Sequence, residues 1–153
     1  MNELRELYQE VILDHSKRPR NFGLLAGANR AARGDNPLCG DRLTLTLEVA
    51  DGVVREAHFE GTGCAISVAS ASLMTEVVRG LPVADVERLF ERFHRLLTEE
   101  GTPPEEVEEL GKLAVFAGVR EFPIRVKCAT LPWHTLHAAL AARDELPASV
   151  STE

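Results

Sequence analysis

The chain has 153 residues, 44% of them hydrophobic, with 17 Lys and Arg against 24 Asp and Glu for a net charge of −7. That length fits one compact domain with a real core, and the acidic balance argues against nucleic acid as a partner through the phosphate backbone. No apolar run reaches membrane-spanning length, which argues against a membrane partner. The start, Met1-Asn2-Glu3-Leu4-Arg5, lacks the charged-then-apolar pattern of a secretory leader.

A cytoplasmic protein is therefore the expectation. Disulfides are uncommon in that compartment, and the cysteine count of three is odd. A thiol or thiolate role is then the alternative to simple burial.

In chain order, residues 3–14 predict an amphipathic helix, with Leu4, Leu7, Tyr8, Val11 and Ile12 on one face. Pro19 and Gly23 mark a loop that carries His15, Lys17, Arg18 and Arg20, either a solvated helix end or a docking patch for an acidic partner. A strand near 28–34 is weakly indicated. Leu43, Leu45, Leu47 and Val49 alternate with Thr44, Thr46 and Glu48, the period of a half-buried strand. Asp51-Gly52 is a hairpin turn, and the return strand runs from Val53 to Glu60.

Gly61-Thr62-Gly63 ends that strand. Helices are expected over 65–79, closed by Gly80, and over 83–98. Another is expected after Pro103-Pro104, capped by Thr102 with Glu105 in a capping box and stopped at Gly118. A last helix covers 130–143, leaving a frayed polar tail over 144–153. Strands grouped ahead of helices indicate an α+β fold, not alternating α/β, with about three antiparallel strands.

Cys39, Cys64 and Cys128 each fall at the boundary of an expected element. A lone cysteine is most often a small buried hydrophobe; three at element ends weaken that reading. Cys64 opens a helix, and Cys128 follows an extended-looking stretch, Phe122–Lys127, ahead of another. The exposed N–H groups at a helix start favour negative charge and hence thiolate, which is both nucleophile and metal ligand. Lys127 adds a positive neighbour to Cys128. Asp41, two residues past Cys39, is either a turn residue or a fourth ligand. Three thiolates and a carboxylate suit zinc and also an iron–sulfur cluster.

Spacing alone does not establish a metal site: the sequence has no Cys-x-x-Cys pair. His134 and His137 lie three apart on the last helix and read as solvated residues or as ligands. His58 belongs to the polar face of a strand, and His94 to a charged helix. Ser67, Ser70 and Ser72 have no nucleophile-elbow context.

Taken together, Asn36-Pro37-Leu38-Cys39-Gly40-Asp41, Gly61-Thr62-Gly63-Cys64-Ala65-Ile66-Ser67 and Lys127-Cys128-Ala129-Thr130-Leu131 resemble the IscU/SufU family, also that of the NifU N-terminal domain. The resemblance covers nearly the whole chain, to about residue 143. It implies an α+β domain over 1–143, with a small antiparallel sheet and helices packed on it. It implies that Cys39, Cys64 and Cys128 converge at one exposed end, with Asp41 as a ligand or as the residue that keeps a bound cluster labile.

It further implies an iron–sulfur cluster assembly protein that receives persulfide sulfur from a cysteine desulfurase. The pyridoxal phosphate of that enzyme is not expected in this chain. Downstream carriers, or an assembly complex of the SufBCD type, would be the next partners.

Two departures from the IscU branch point to the SufU branch. Lys127 stands where IscU has a histidine ligand, and a protonated lysine is a poor ligand. Glu121-Phe122-Pro123-Ile124-Arg125-Val126-Lys127 replaces the segment that the IscU chaperone reads. An added helical segment, residues 81–101, points the same way. SufU-type proteins resemble zinc-dependent sulfur carriers, so the resemblance implies zinc in the resting state and a transient iron–sulfur cluster. Cys39, on the loop expected to be most mobile, is the expected sulfur acceptor, with Arg125 and Lys127 stabilising negative charge. A zinc-held interaction module is the remaining, structural alternative.

Overall fold

The computed structural model describes residues 2–141 and 148–151. Helix α1 (Asn2–Lys17) leads into a loop and then three antiparallel strands, β1 (Arg30–Asn36), β2 (Asp41–Ala50) and β3 (Val53–Thr62). Four helices follow: α2 (Ala65–Val78), α3 (Val83–Thr98), α4 (Pro104–Leu110) and α5 (Pro123–Ala141), with a 3-10 segment at Gly111–Glu121 between the last two. A short β4 (Ala148–Ser151) completes a mixed sheet of order β3-β2-β1-β4, parallel to β1. The expected α+β class is thus found with four strands, not three. Residues 148–151 pair in the sheet where the sequence suggested a frayed tail; the rest of that tail lies outside the described residues.

The alternation in β2 does what its period predicts. Leu43, Leu45 and Leu47 are buried, and across the hairpin Leu45 faces Phe59 while Leu47 faces Ala57. Asp51 (φ 54°) and Gly52 (φ 73°) both take left-handed backbone, as the turn between twisted strands needs. The buried sheet face meets α2 and α5, whose Leu73, Met74, Leu131 and Leu136 share its core. β1 meets α5 so closely that a Cβ on Gly34 would fall 2.1 Å from Thr135 Oγ1.

The second helical layer is part of that core. Phe93 of α3 lies 5.1 Å from Trp133 and 5.8 Å from Phe116, ring centroid to centroid. The 81–101 segment therefore carries core residues.

Three local expectations fail. Thr102 makes no cap: Pro103 is the N-cap of α4, with Pro104 at its first position. Gly118 does not end that helix, because α4 stops at Leu110 and Gly111 (φ 55°) turns the chain into the 3-10 segment that contains Gly118. In α1, Tyr8, Val11 and Ile12 pack on the core, but Leu4 and Leu7 of the same stripe are exposed.

Candidate metal centre

The β1–β2 connection carries the first two ligand candidates. Asn36 is the last residue of β1 and pairs with Asp41, the first of β2. Its carbonyl accepts the N–H groups of Cys39 (3.1 Å) and Gly40 (2.9 Å), and its side-chain oxygen accepts the Leu38 N–H (3.2 Å). Gly40 has φ 72°, a conformation that glycine adopts without a Cβ penalty. This tight turn projects Cys39 while Asp41 enters the sheet almost fully buried.

Cys64 comes from the end of β3. It is the N-cap of α2, with extended backbone, and its thiol makes no capping hydrogen bond. Its backbone N–H instead donates to Asp41 Oδ1 at 2.9 Å, which brings the carboxylate to the positive end of the helix. Room for that approach comes from Gly63: a Cβ there would stand 2.6 Å from Asp41 Oδ1 and 2.5 Å from Ser67 Oγ. Gly61 serves the strand pairing itself, since a Cβ there would meet the Arg42 carbonyl oxygen at 2.0 Å.

Cys128 lies inside α5, not ahead of it. Residues 123–127, expected to be extended, form the first turns of that helix. Cys128 is fully buried, with its Sγ 3.3 Å from Cys39 Sγ. Helix-start stabilisation of a thiolate is therefore not what governs it. Burial pushes its thiol well above the ordinary cysteine range, and the neighbouring Asp41 carboxylate, Cys39 and Cys64 push the same way. A cation set among these groups reverses that balance, because a coordinated thiol gives up its proton.

Cys39, Asp41 and Cys128 each offer a ligand atom within 4.8 Å of the other two. Cys64 stands beside this group, its Sγ 4.0 Å from Asp41 Oδ2. Two thiols and a carboxylate meeting at one buried point, with a third thiol alongside, fit the sulfur-rich four-ligand chemistry of zinc or of an iron–sulfur site. Cys39 and Cys64 are partly exposed and all three cysteines are free, so a partner can reach the rim while Cys128 forms the floor.

Arg125 and Lys127 lie on exposed positions of the first turns of α5. Among the described residues, neither places its charged end in a hydrogen bond or ion pair with Cys39, Asp41, Cys64 or Cys128. His134, His137 and His94 gather elsewhere, around Phe90.

Reading the sequence missed two contributors. Asn36 shows no role in the sequence motif, yet it builds the Cys39 turn and, among the described residues, keeps a buried Nδ2 with no partner. In the sequence Gly63 marks only the end of a strand. Its Gly-x-Gly-Cys context signalled close backbone approach, but nothing in the sequence showed that the approaching group is Asp41.

This fold and thiol-rich centre are those of a family of small α+β domains: the chain belongs to the NifU-like N-terminal domain family, which matches residues 7–129. Among characterised relatives, the zinc-dependent sulfurtransferase SufU of Bacillus subtilis is 38% identical over 141 residues, covering 92% of this chain and 94% of that protein. The iron-sulfur cluster assembly scaffold protein IscU of Streptococcus pyogenes serotype M1 is 38% identical over 140 residues, covering 92% and 86%. The crystal structure of the N-terminal part of a nitrogen-fixing NifU-like protein from Brucella abortus superposes with a TM-score of 0.78 at 26% identity, over 92% of this chain and 96% of that one.

Proposed function

We propose that this chain is an iron–sulfur cluster assembly protein that accepts persulfide sulfur from a cysteine desulfurase at the Cys39–Asp41–Cys64–Cys128 centre. The observation that carries this reading is the meeting of Cys39, Asp41 and Cys128 ligand atoms within 4.8 Å, with one of the thiols on a partly exposed turn. Both the sulfurtransferase and the scaffold among its relatives support it. The reducing cytoplasm, where thiols persist, is the compartment that suits it.

Cys39 is the acceptor in this scheme. Its sulfur attacks the outer sulfur of the partner's cysteine persulfide, forming a new S–S bond as the partner's S–S bond breaks. The partner's sulfur leaves as a thiol carrying the Cys39 proton, so the exchange involves no net oxidation. Asp41 and Cys128 hold position from the buried side, and Arg125 and Lys127 offset negative charge at the rim. Zinc, when held by the three cysteines and Asp41, supplies thiolate stabilisation without redox chemistry. The cluster is cargo, built at the same residues and passed to downstream carriers or a SufBCD-type complex.

The rim also has the character of a docking surface for the donor enzyme. Leu38 is 70% exposed beside Cys39, and Phe122 (58%) and Ile124 (62%) are exposed at the start of the helix that carries Cys128. Apolar groups left in water around a reactive thiol suit a partner that covers the site during transfer.

A second reading, a zinc-dependent sulfur carrier without stable cluster assembly, is favoured by Lys127, an exposed lysine that adds no ligand next to Cys128. The deciding experiment measures alanine released by the cognate cysteine desulfurase with and without the zinc-loaded protein, beside Cys39→Ala. Stimulation that requires Cys39 supports sulfur acceptance; equal stimulation by Cys39→Ala removes Cys39 as acceptor. Anaerobic iron reconstitution then separates scaffold from carrier by the appearance or absence of cluster absorption.

A further inference from the structure

Three histidines lie together on the seam of α3 and α5, away from the cysteine centre. His94 and His134 have ring centroids 6.0 Å apart, and His134 and His137 sit one turn apart on α5. All three surround Phe90, at 6.1, 5.2 and 6.2 Å respectively. His137 Nδ1 meets the Glu87 carboxylate at 2.9 Å, which fixes its ring. On α3, Glu87, Glu91 and His94 follow the i, i+4, i+7 spacing of one stripe.

The geometry points to a second metal site here, a two-imidazole clamp of His94 and His134 for a zinc-class divalent ion, with His137 or Glu91 completing its shell. Two imidazoles sharing a tetrahedral ion, with metal–nitrogen bonds of about 2.0–2.1 Å, hold their centroids roughly 5 Å apart. The observed 6.0 Å is within one side-chain rotation of that distance, and His94, being exposed, is free to make the turn. Among the described residues three ligand atoms lie within 4.8 Å of one another at the cysteine centre and not at this seam, so the His94 ring must turn before the seam can hold an ion.

Burial holds His134 below the ordinary histidine pKa, with His94 and His137 acting in the same direction. Glu87, held against His137, places negative charge at the seam. An ion held there would tie α3 to α5, the helix that carries Cys128 six residues earlier, roughly 9 Å along the axis.

The test is a titration of the full-length, reduced protein with Co2+, whose spectrum separates the two centres. At thiolates it shows near-ultraviolet sulfur-to-metal charge transfer; on imidazole and carboxylate it shows visible d–d bands alone. The wild type is expected to take up one more ion than His94→Ala/His134→Ala, that ion adding d–d absorbance only. Charge transfer should be equal in both proteins. His94→Ala alone, at an exposed position that spares the fold, is expected to weaken the added ion by at least about tenfold. Uptake by His94→Ala identical to wild type would overturn the site, as would His94 and His134 imidazole 15N resonances that Zn2+ leaves unmoved. The seam would then be aromatic packing around Phe90 alone.

Discussion

Two buried polar regions of this molecule, both built on α2, are organised in opposite ways. Where α1 packs on α2, every partner is present. Ser72 Oγ accepts the Arg20 N–H at 2.9 Å and is hydrogen-bonded to His15 Nδ1 at 2.7 Å, with His15 Nε2 3.7 Å from the Glu76 carboxylate. Thr75 donates to the Ser72 carbonyl and accepts from Asn21. At the other end of α2, the Asp41 carboxylate is packed among three thiols and, among the described residues, the Asn36 Nδ2 has no partner. A satisfied network holds structure together; a buried carboxylate beside thiols with unused ligand capacity is arranged for something that arrives from outside.

If that contrast is right, substitutions at the two ends separate metal affinity from stability. The largest effect is expected for Asp41→Ala, which removes the candidate oxygen ligand and the acceptor of the Cys64 N–H. Zinc affinity, followed by competition with a chromophoric chelator, should fall more than about 100-fold, beyond the usual effect of losing a supporting group. Gly63→Ala leaves all four ligand residues in place but drives a methyl into Asp41 Oδ1. It should weaken zinc by about tenfold or more in the same assay. Retention of wild-type affinity by Gly63→Ala would show that the carboxylate does not need its present position.

At the satisfied end the pattern reverses. Ser72→Ala strands the His15 ring and the Arg20 N–H, and should cost about 1–3 kcal/mol of unfolding free energy in urea with zinc affinity unchanged.

The same seam sets a pH dependence. Burial holds His15 below its ordinary value of 6.5, with the Arg20 charge acting in the same direction. The unfolded chain therefore takes up this proton first. The stabilising contribution is complete above about pH 6.5 and is lost as pH falls toward the lower folded-state pKa. His134, also held low, contributes with the same sign. Urea midpoints at pH 7.5 and 5.5 should show the loss, and His15→Gln should reduce it.

The smallest stability effect is expected at the rim. Lys127→Ala and Arg125→Ala, both at exposed positions, should change unfolding free energy by less than about 0.5 kcal/mol. If they assist sulfur transfer, they should still lower desulfurase stimulation. Unchanged stimulation would reduce them to surface charges.

The sequence by itself determined the elements whose signals are local. The period-two run of β2 and the Asp51-Gly52 turn need only neighbouring residues, and both took the expected form. The three cysteine segments marked the family and the ligand candidates, because each is a short motif. What failed was decided at longer range. Phe122–Lys127 read as extended, yet proline is tolerated at a helix start, and α5 begins at Pro123, ahead of Cys128. Cys128 thereby moves from a helix N-terminus to a buried floor.

The fourth strand could not be read from residues 148–151, since parallel pairing with β1 depends on where α5 delivers the chain. The site itself was decided by tertiary structure. Cys39, Cys64 and Cys128 are far apart in sequence, and only the β1–β2 turn, the α2 cap and α5 bring their sulfurs to Asp41. Gly63 matters because of a through-space neighbour that no local pattern names. Local backbone chemistry is encoded residue by residue, whereas a ligand set is a statement about distances that only packing supplies.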